Sequence, residues 1–342
     1  GSYTLSDTAA NLANANAGLV NFAQAVTATD AATYADAATL AGLTTMGTPV
    51  SYSVTVAAAD AITAGAALNS AVNITASDAQ DIADALVLKG ATNSGTTSYA
   101  ISDAIGSFIS GVAATQALIS SAVEAATGTV TATGNATLAE AAVVAGLTKA
   151  VVFSVSDDET SLANLDAGSL NEAVNVAVTK SATALTTAQA AAFLAATNSG
   201  TTTLAEVSGT ASEVLAMVLT DNDVVSNLIV TGNITATQAV QIAALGASAN
   251  VTALVISGAT ISGTSAELAL VPDATLIAAA GGAAGVTVTE AMSVAEYTAL
   301  AGAITIGSVT GNYQLTDTFT NFMIDGSPDA NVDAKAAMGS AA

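Results

Sequence analysis

Along this chain, short runs that alternate apolar and polar residues repeatedly give way to runs in which apolar residues recur every third or fourth place. In YTLSD (3–7) the alternation puts Tyr3 and Leu5 on one face, and after Asp7 the spacing becomes helical through Leu12 and Leu19. A change of period from two to about 3.6 marks a strand followed by a helix. The same change recurs midway to the next such phrase. AVTATDAATYADAATLAGL (25–43), TVTATGNATLAEAAVVAGL (129–147) and GNITATQAVQIAALGA (232–247) each pass from a Val/Ile/Thr run into an Ala/Leu segment.

These landmarks repeat. The opening phrase returns as YSVTV at 52, YAISD at 99, FSVSD at 153, LAEVS at 204, ALVIS at 253 and YQLTD at 313, at intervals of about fifty residues. Midpoint segments also stand at 71–91, 184–197 and 285–303. The pattern predicts six repeats, near 3–51, 52–98, 99–151, 152–203, 204–251 and 252–311, then the start of a seventh at 312–323. Residues 324–342 lose the pattern and read as a loose tail. The repeat at 252–311 is the most irregular, since it is longer and contains Gly281-Gly282.

Each repeat therefore reads strand, helix, strand, helix, with one βα step every 25 residues or so. Strands separated by helices cannot form hairpins and should run parallel. Three prolines and the absence of a linker or charge run favour one continuous array over two ordinary α/β domains. The predicted fold class is α/β: a repeat solenoid of strand–helix–strand–helix units, with coils the size of those in leucine-rich repeats.

Composition narrows the function. Apolar residues make up 52% of the chain but aromatics only 4%, so the core is built from small side chains, which suit thin elements stacked closely. Four lysines, no arginine and no histidine stand against 27 acidic residues, for a net charge of −23. That charge argues against nucleic acid, whose binding needs Lys and Arg to displace counterions, and against anionic lipid. It suits a salty, screening medium. No apolar run is long enough to cross a bilayer, so membrane insertion is not expected. Cysteine is absent, which leaves the compartment open. Gly1-Ser2 reads as a processed start or a cloning remnant, with any export signal outside it.

Without His or Cys, the usual general base, thiol nucleophile and zinc ligands are missing. No P-loop, G-x-S-x-G or dinucleotide loop occurs, and Trp and Arg, the usual sugar-holding partners of a carboxylate pair, are absent. An enzyme is not expected, nor any cofactor beyond calcium. The weak calcium candidates are Asp157, Asp158 and Glu159, with Asp221 and Asp223; solvated faces are the plainer reading. Asp78, Asp81 and Asp84 have the spacing of one helix face. The recurring Asp7, Asp103, Asp157 and Asp317 are expected to cap the helices that follow them, as Asp does well. The Thr pairs 27/29, 131/133, 235/237 and 287/289 could line one flat face as in ice-binding solenoids, but the last Thr of ITAT is also well placed as a cap.

SDTAANL (6–12), set in strand–helix repeats with Val-Thr-Ala-Thr midpoints, resembles repeats of very large bacterial surface and secreted proteins. These include adhesin-like proteins, RTX-type exoproteins and surface-layer or filament components. The resemblance implies an extracellular location and a structural or adhesive role. The calcium-binding nonapeptides of RTX proteins are missing here, so calcium is not carried over to any residue. The leading expectation is a non-enzymatic surface filament, surface-layer or adhesin-stalk component that self-associates head to tail. Tyr3 and Leu5 would meet Tyr313, Leu315, Phe319 and Phe322, because an uncapped array of this kind invites heterologous stacking. A module binding surface glycans is the alternative.

Overall fold

The structure, a computed structural model, describes residues 2–257, 260–271, 286–291, 293, 295–296, 309–310, 323–324 and 327–328. Tyr313, Leu315, Phe319, Phe322 and Gly281-Gly282 lie outside the described residues. The chain forms two compact bodies, residues 1–156 with 164–174, and residues 157–163 with 175–342.

In the first body, β1 (Thr4–Asp7) leads to α1 (Ala9–Ala13) and α2 (Ala17–Asn21), then β2 (Ala25–Thr33) to α3 (Tyr34–Ala41). There follow β3 (Ser51–Val56), α4 (Ala66–Asn69), β4 (Ile74–Gln80), α5 (Ile82–Lys89) and β5 (Thr97–Ala104). The body continues with α6 (Ala113–Ala125), β6 (Val130–Ala136), α7 (Leu138–Ala145), β7 (Val152–Asp158) and α8 (Ala167–Glu172). Each strand from β1 to β7 pairs parallel with the next in chain order. The expected parallel α/β class is what is found, and the phrases at 3, 52, 99 and 153 fall on β1, β3, β5 and β7. Among the described residues no helix is long and apolar enough to cross a membrane.

The elements form for the reasons their patterns imply. In β3, Tyr52, Val54 and Val56 are buried while Ser51, Ser53 and Thr55 between them are only half so. In α5 the buried residues are Ile82, Ala85 and Leu88, and in α7 Leu138, Ala141 and Val144, one narrow stripe per helix. Helices pack on helices later in the chain: α1 on α3, α3 on α4, α5 on α6 and α7 on α8. With Ala at so many of these contacts, helix and sheet approach closely.

In the second body, β8 (Val176–Thr179), β9 (Leu185–Thr186) and α9 (Thr187–Leu194) precede β10 (Thr202–Thr210) and α10 (Ala211–Leu215). Then come β11 (Asp223–Thr231), β12 (Ile234–Thr235), α11 (Ala236–Gly246), β13 (Val251–Ser257), β14 (Ile261–Gly263) and α12 (Ser265–Leu268). The last parallel strands are β15 (Val286–Val288) and β16 (Val309–Thr310). β8 and β9 both pair with β10, which pairs with β11, and β11 with β13. A second parallel sheet runs β12, β14, β15, β16. At the start of the predicted tail, β17 (Met323–Ile324) pairs antiparallel with β18 (Ser327–Pro328).

Residues 152–257 therefore hold more strands than two per repeat, and the reason is visible in the first body. β2, β4 and β6 each shift register midway: Thr27 to Ala31 spans Ser51 to Ser53, Thr75 to Ala79 spans Ser98 to Ala100, and Thr131 to Asn135 spans Val152 to Ser154. Two extra residues bulge out each time. In the second body the same place opens fully, separating β8 from β9 and β11 from β12. Gly134, inside the bulge of β6, has φ 82°, and Gly232, in the gap after β11, has φ 75°. Only glycine enters that left-handed region without strain.

What ends many of these strands, in midpoint and opening segments alike, is a cap. Thr137, Thr186, Thr210, Thr235 and Thr264 each accept the backbone N–H three residues on, and the Glu or Gln there returns a bond to the Thr backbone. Thr33 and Asp81 make the first half of this exchange at α3 and α5. Replacing Thr137 by Ala should lower unfolding stability by roughly 1 kcal/mol, measured by denaturant titration.

Candidate functional site

The phrase that opens each repeat builds a joint between successive steps. In the phrases at 52 and 99 a buried tyrosine ties down a helix that follows: Tyr52 Oη donates to the Ala67 carbonyl (3.0 Å) and Tyr99 Oη to that of Ala122 (2.8 Å). Tyr3 Oη reaches the Leu19 carbonyl in the same way. Burial pushes the Tyr99 hydroxyl up to about 12.

The acid of the phrase does not do what was expected. Asp7 is not the cap of α1; that residue is Thr8, whose Oγ1 accepts the N–H of Asn11 (3.3 Å). Asp103 precedes a short 3-10 turn that has no side-chain cap. Its Oδ1 takes the next N–H, of Ala104 (2.7 Å), and its Oδ2 takes the first amide of α5, Ile82 (2.9 Å), on the neighbouring step. The register explains the choice. Gln80 lies opposite Ile101, so two residues further along Ile82 stands level with Asp103. Asp7 opposite Ala28 brings Ala9 to Asp30 (2.6 Å), and Val56 opposite Ala76 brings Ala58 to Asp78 (2.8 Å). Carboxylates thus satisfy amides freed where the adjacent strand ends. Asp78 is on β4, Asp81 caps α5 and Asp84 accompanies that cap, so the three do not share a helix face. Burial first, then the nearby Asp81, raises the Asp84 carboxyl above its ordinary value.

β1 repeats the Asp103 joint with one side open. Leu5, Ser6 and Asp7 pair with Val26, Thr27 and Ala28 as Ile101, Ser102 and Asp103 pair with Val130, Thr131 and Ala132. Asp7 Oδ1 accepts Thr8 N–H (2.7 Å) and Asn11 Nδ2 (2.8 Å), which together hold its carboxyl below the usual range, Asn11 most. Its Oδ2 has no donor among the described residues. β1 pairs on one side only, so Tyr3 and Leu5 are half-buried where Tyr99 and Ile101 are fully buried. Beside them Leu19, Phe22 and Met46 are 51%, 65% and 68% exposed. Ser2, Tyr3, Phe22, Gln24 and Met46 line a hollow of about 500 Å³.

Four of the five calcium candidates accept backbone N–H groups. Glu159 receives three consecutive backbone N–H groups, from Ser181, Ala182 and Thr183, and these hold its carboxyl down to about 2. Asp158 Oδ1 accepts Thr160 N–H (2.9 Å), Asp157 Oδ1 accepts Asp158 N–H (2.9 Å), and the buried Asp223 takes Thr220 N–H (2.7 Å) and Oγ1 (2.8 Å). Asp221 is exposed in the turn before β11. Among the described residues no group of three or more acids is close enough to hold a metal ion. Of the Thr pairs, Thr27 pairs with Ser6 and Ser51 across strands, and in ITAT the cap is Thr235 rather than Thr237.

A cluster that sequence reasoning missed crosses three strands of the second body. Lys180 Nζ meets Glu206 Oε1 at 2.5 Å, and Asn227 Nδ2 donates to Glu206 Oε2 at 2.9 Å. The Lys180 bond, then that of Asn227, keeps the Glu206 carboxyl below its ordinary value. Its three residues lie 26 and 21 positions apart, one βα step each, and only knowledge of strand register brings them together.

The chain matches none of the family models, curated proteins or solved structures compared with it.

A carboxylate with a depressed pKa stabilises the fold fully above its unfolded value and loses that contribution as pH falls toward the folded one. For Glu159 that window runs from 4.5 down to about 2. The thermal midpoint, followed by circular dichroism, should hold steady from neutral pH down to the top of this window and fall within it. Glu159→Gln should lower the midpoint at neutral pH and flatten its dependence on acid.

Proposed function

We propose that this chain is a non-enzymatic structural segment of an extracellular bacterial surface, an α/β solenoid that extends by accepting a second copy of itself at β1. The observation that carries this reading is the half-open joint. Asp7 Oδ2, the unpaired edge of β1 and the half-buried Tyr3 and Leu5 stand where, at β5, a parallel strand and the first amide of its helix are seated. The occupant that fits is another βα step of the kind this chain makes repeatedly. The extracellular placement rests on the resemblance of SDTAANL and its neighbours to bacterial surface repeats.

Physically, two effects compete. Covering Tyr3, Leu5, Phe22 and Met46 favours association, at about 25 cal/mol for each Å² of apolar surface removed from water. Repulsion between chains of net charge −23 opposes it and weakens with salt, whose screening length is about 8 Å at physiological strength. Assembly should therefore strengthen as salt rises, the reverse of association driven by ion pairs.

Sedimentation velocity at low and high salt tests the reading. Oligomers should appear as salt is raised, and Leu5→Glu should abolish them while leaving the circular dichroism spectrum unchanged. A chain that remains monomeric at every salt concentration overturns the proposal.

A further inference from the structure

Four Asn-x-Thr triplets occur in the chain, none with proline in the middle: Asn73-Ile74-Thr75, Asn135-Ala136-Thr137, Asn233-Ile234-Thr235 and Asn250-Val251-Thr252. This is the triplet that N-linked glycosylation reads in exported proteins. A Thr-rich chain acquires some of them by composition alone, and the structure sorts them. Asn73 is half-buried, and its Oδ1 accepts the N–H (2.9 Å) and Oγ1 (3.1 Å) of Thr96, just before β5. Asn250 is half-buried too, and its Nδ2 donates to the carbonyls of Thr220 (2.6 Å) and Asp223 (2.8 Å). Asn135 and Asn233 are exposed, and neither side chain has a hydrogen-bond partner among the described residues.

These two asparagines stand at equivalent places. Each follows a glycine in the left-handed region, Gly134 or Gly232. Each lies two residues before a Thr that caps a helix, Thr137 at α7 and Thr235 at α11. A Cβ built on either glycine would meet nothing within 4 Å, so the space beside each Asn is open. The caps themselves do not ask for Asn. Two residues before Thr33, Asp81, Thr186, Thr210 and Thr264, which cap other helices, stand Ala31, Ala79, Ala184, Ser208 and Ser262. The fold is built equally well with Ala or Ser at this place, which leaves the amides of Asn135 and Asn233 without a structural task.

We propose that Asn135 and Asn233 are acceptors of N-linked sugar and that Asn73 and Asn250 are not. The donor is a sugar whose anomeric carbon carries a phosphate leaving group, borne by a lipid or by a nucleotide. A bond forms from Asn Nδ2 to that carbon as the carbon's bond to the phosphate oxygen breaks. The phosphate keeps the electron pair, and one Nδ2 proton passes to a base of the transferase. At Asn135 and Asn233 the product disturbs no hydrogen bond, because neither amide is used in the fold. At Asn250 the same substitution would take a proton from an amide that donates two bonds. At Asn73 it would set a sugar between Ser53 and Thr96, whose side chains the amide meets. The inference rests on the extracellular placement proposed above and not on self-association, which is measured on chain made without glycosylation.

Glycopeptide mass spectrometry of the full chain, recovered from the cells that make it, tests the proposal. The expected result is sugar on Asn135 and Asn233, with the peptides of Asn73 and Asn250 at the masses of their sequence. Asn135→Gln and Asn233→Gln, which leave both caps in place, should each remove one glycan and leave the circular dichroism spectrum unchanged. Growth with an inhibitor of sugar loading onto lipid carriers tells the donors apart: the glycans vanish if the donor is lipid-borne and persist if it is nucleotide-borne. A chain bare at both Asn135 and Asn233 overturns the proposal, whatever sedimentation shows of assembly. Equal occupancy of Asn73 or Asn250 overturns it as well, since the fold would then have no part in choosing the sites.

Discussion

A parallel strand has no turn of its own to stop it, so something must end it at the right residue and start the helix. Here the caps do both. When Thr137 Oγ1 accepts the N–H of Glu140 and the Glu140 carboxylate returns a bond to Thr137, the chain has one extended residue followed by helix and little freedom to begin the helix elsewhere. Capping at Thr33, Asp81, Thr137, Thr186, Thr210, Thr235 and Thr264 sets strand length, and strand length sets register with the next strand. A slip of one residue would turn every inward Val and Ile outward.

Register in turn decides where the acids act. Because strands are parallel and end nearly level, the first free amide of one step lies beside a residue two places beyond a known pair, and a carboxylate there can reach it. Asp30, Asp78 and Asp103 meet Ala9, Ala58 and Ile82 in this way, across 20 or 21 residues of sequence. Glu159 spans 22 to 24 residues to three amides. A chain this acidic keeps much of its negative charge useful by placing it on backbone donors, where it is stabilised rather than merely exposed. The apolar contacts are thin, Ala against Val, and these polar ties fix how each step sits on its neighbour.

Much of this could be read beforehand, for particular reasons. The phrases ending at Asp7, Val56 and Asp103 alternate cleanly, and their strands lie where the alternation put them. The Thr-x-x-Glu/Gln spacing that carries the caps is also plain in TLAE and TTAQ. Partners set by register were not legible. Asp7 and Asp103 look like local caps because Asp so often is one; their true partners depend on which residue of another strand stands opposite. Asp157, Asp158 and Glu159 look like a metal cluster in one dimension, yet each turns to a separate donor. The interruption after β8 and β11 was hidden too, since a bulge changes pairing without changing the apolar period.

The most direct test of this account is amide hydrogen exchange at the third residue of each helix, followed by NMR. First-turn amides ordinarily lack an intrahelical partner and exchange freely. If caps define the steps, the amides of Glu140, Gln189, Glu213 and Gln238 should be protected nearly as well as those inside their helices. Exchange of these amides at the rate of open loops, with the helix interiors still protected, would contradict it.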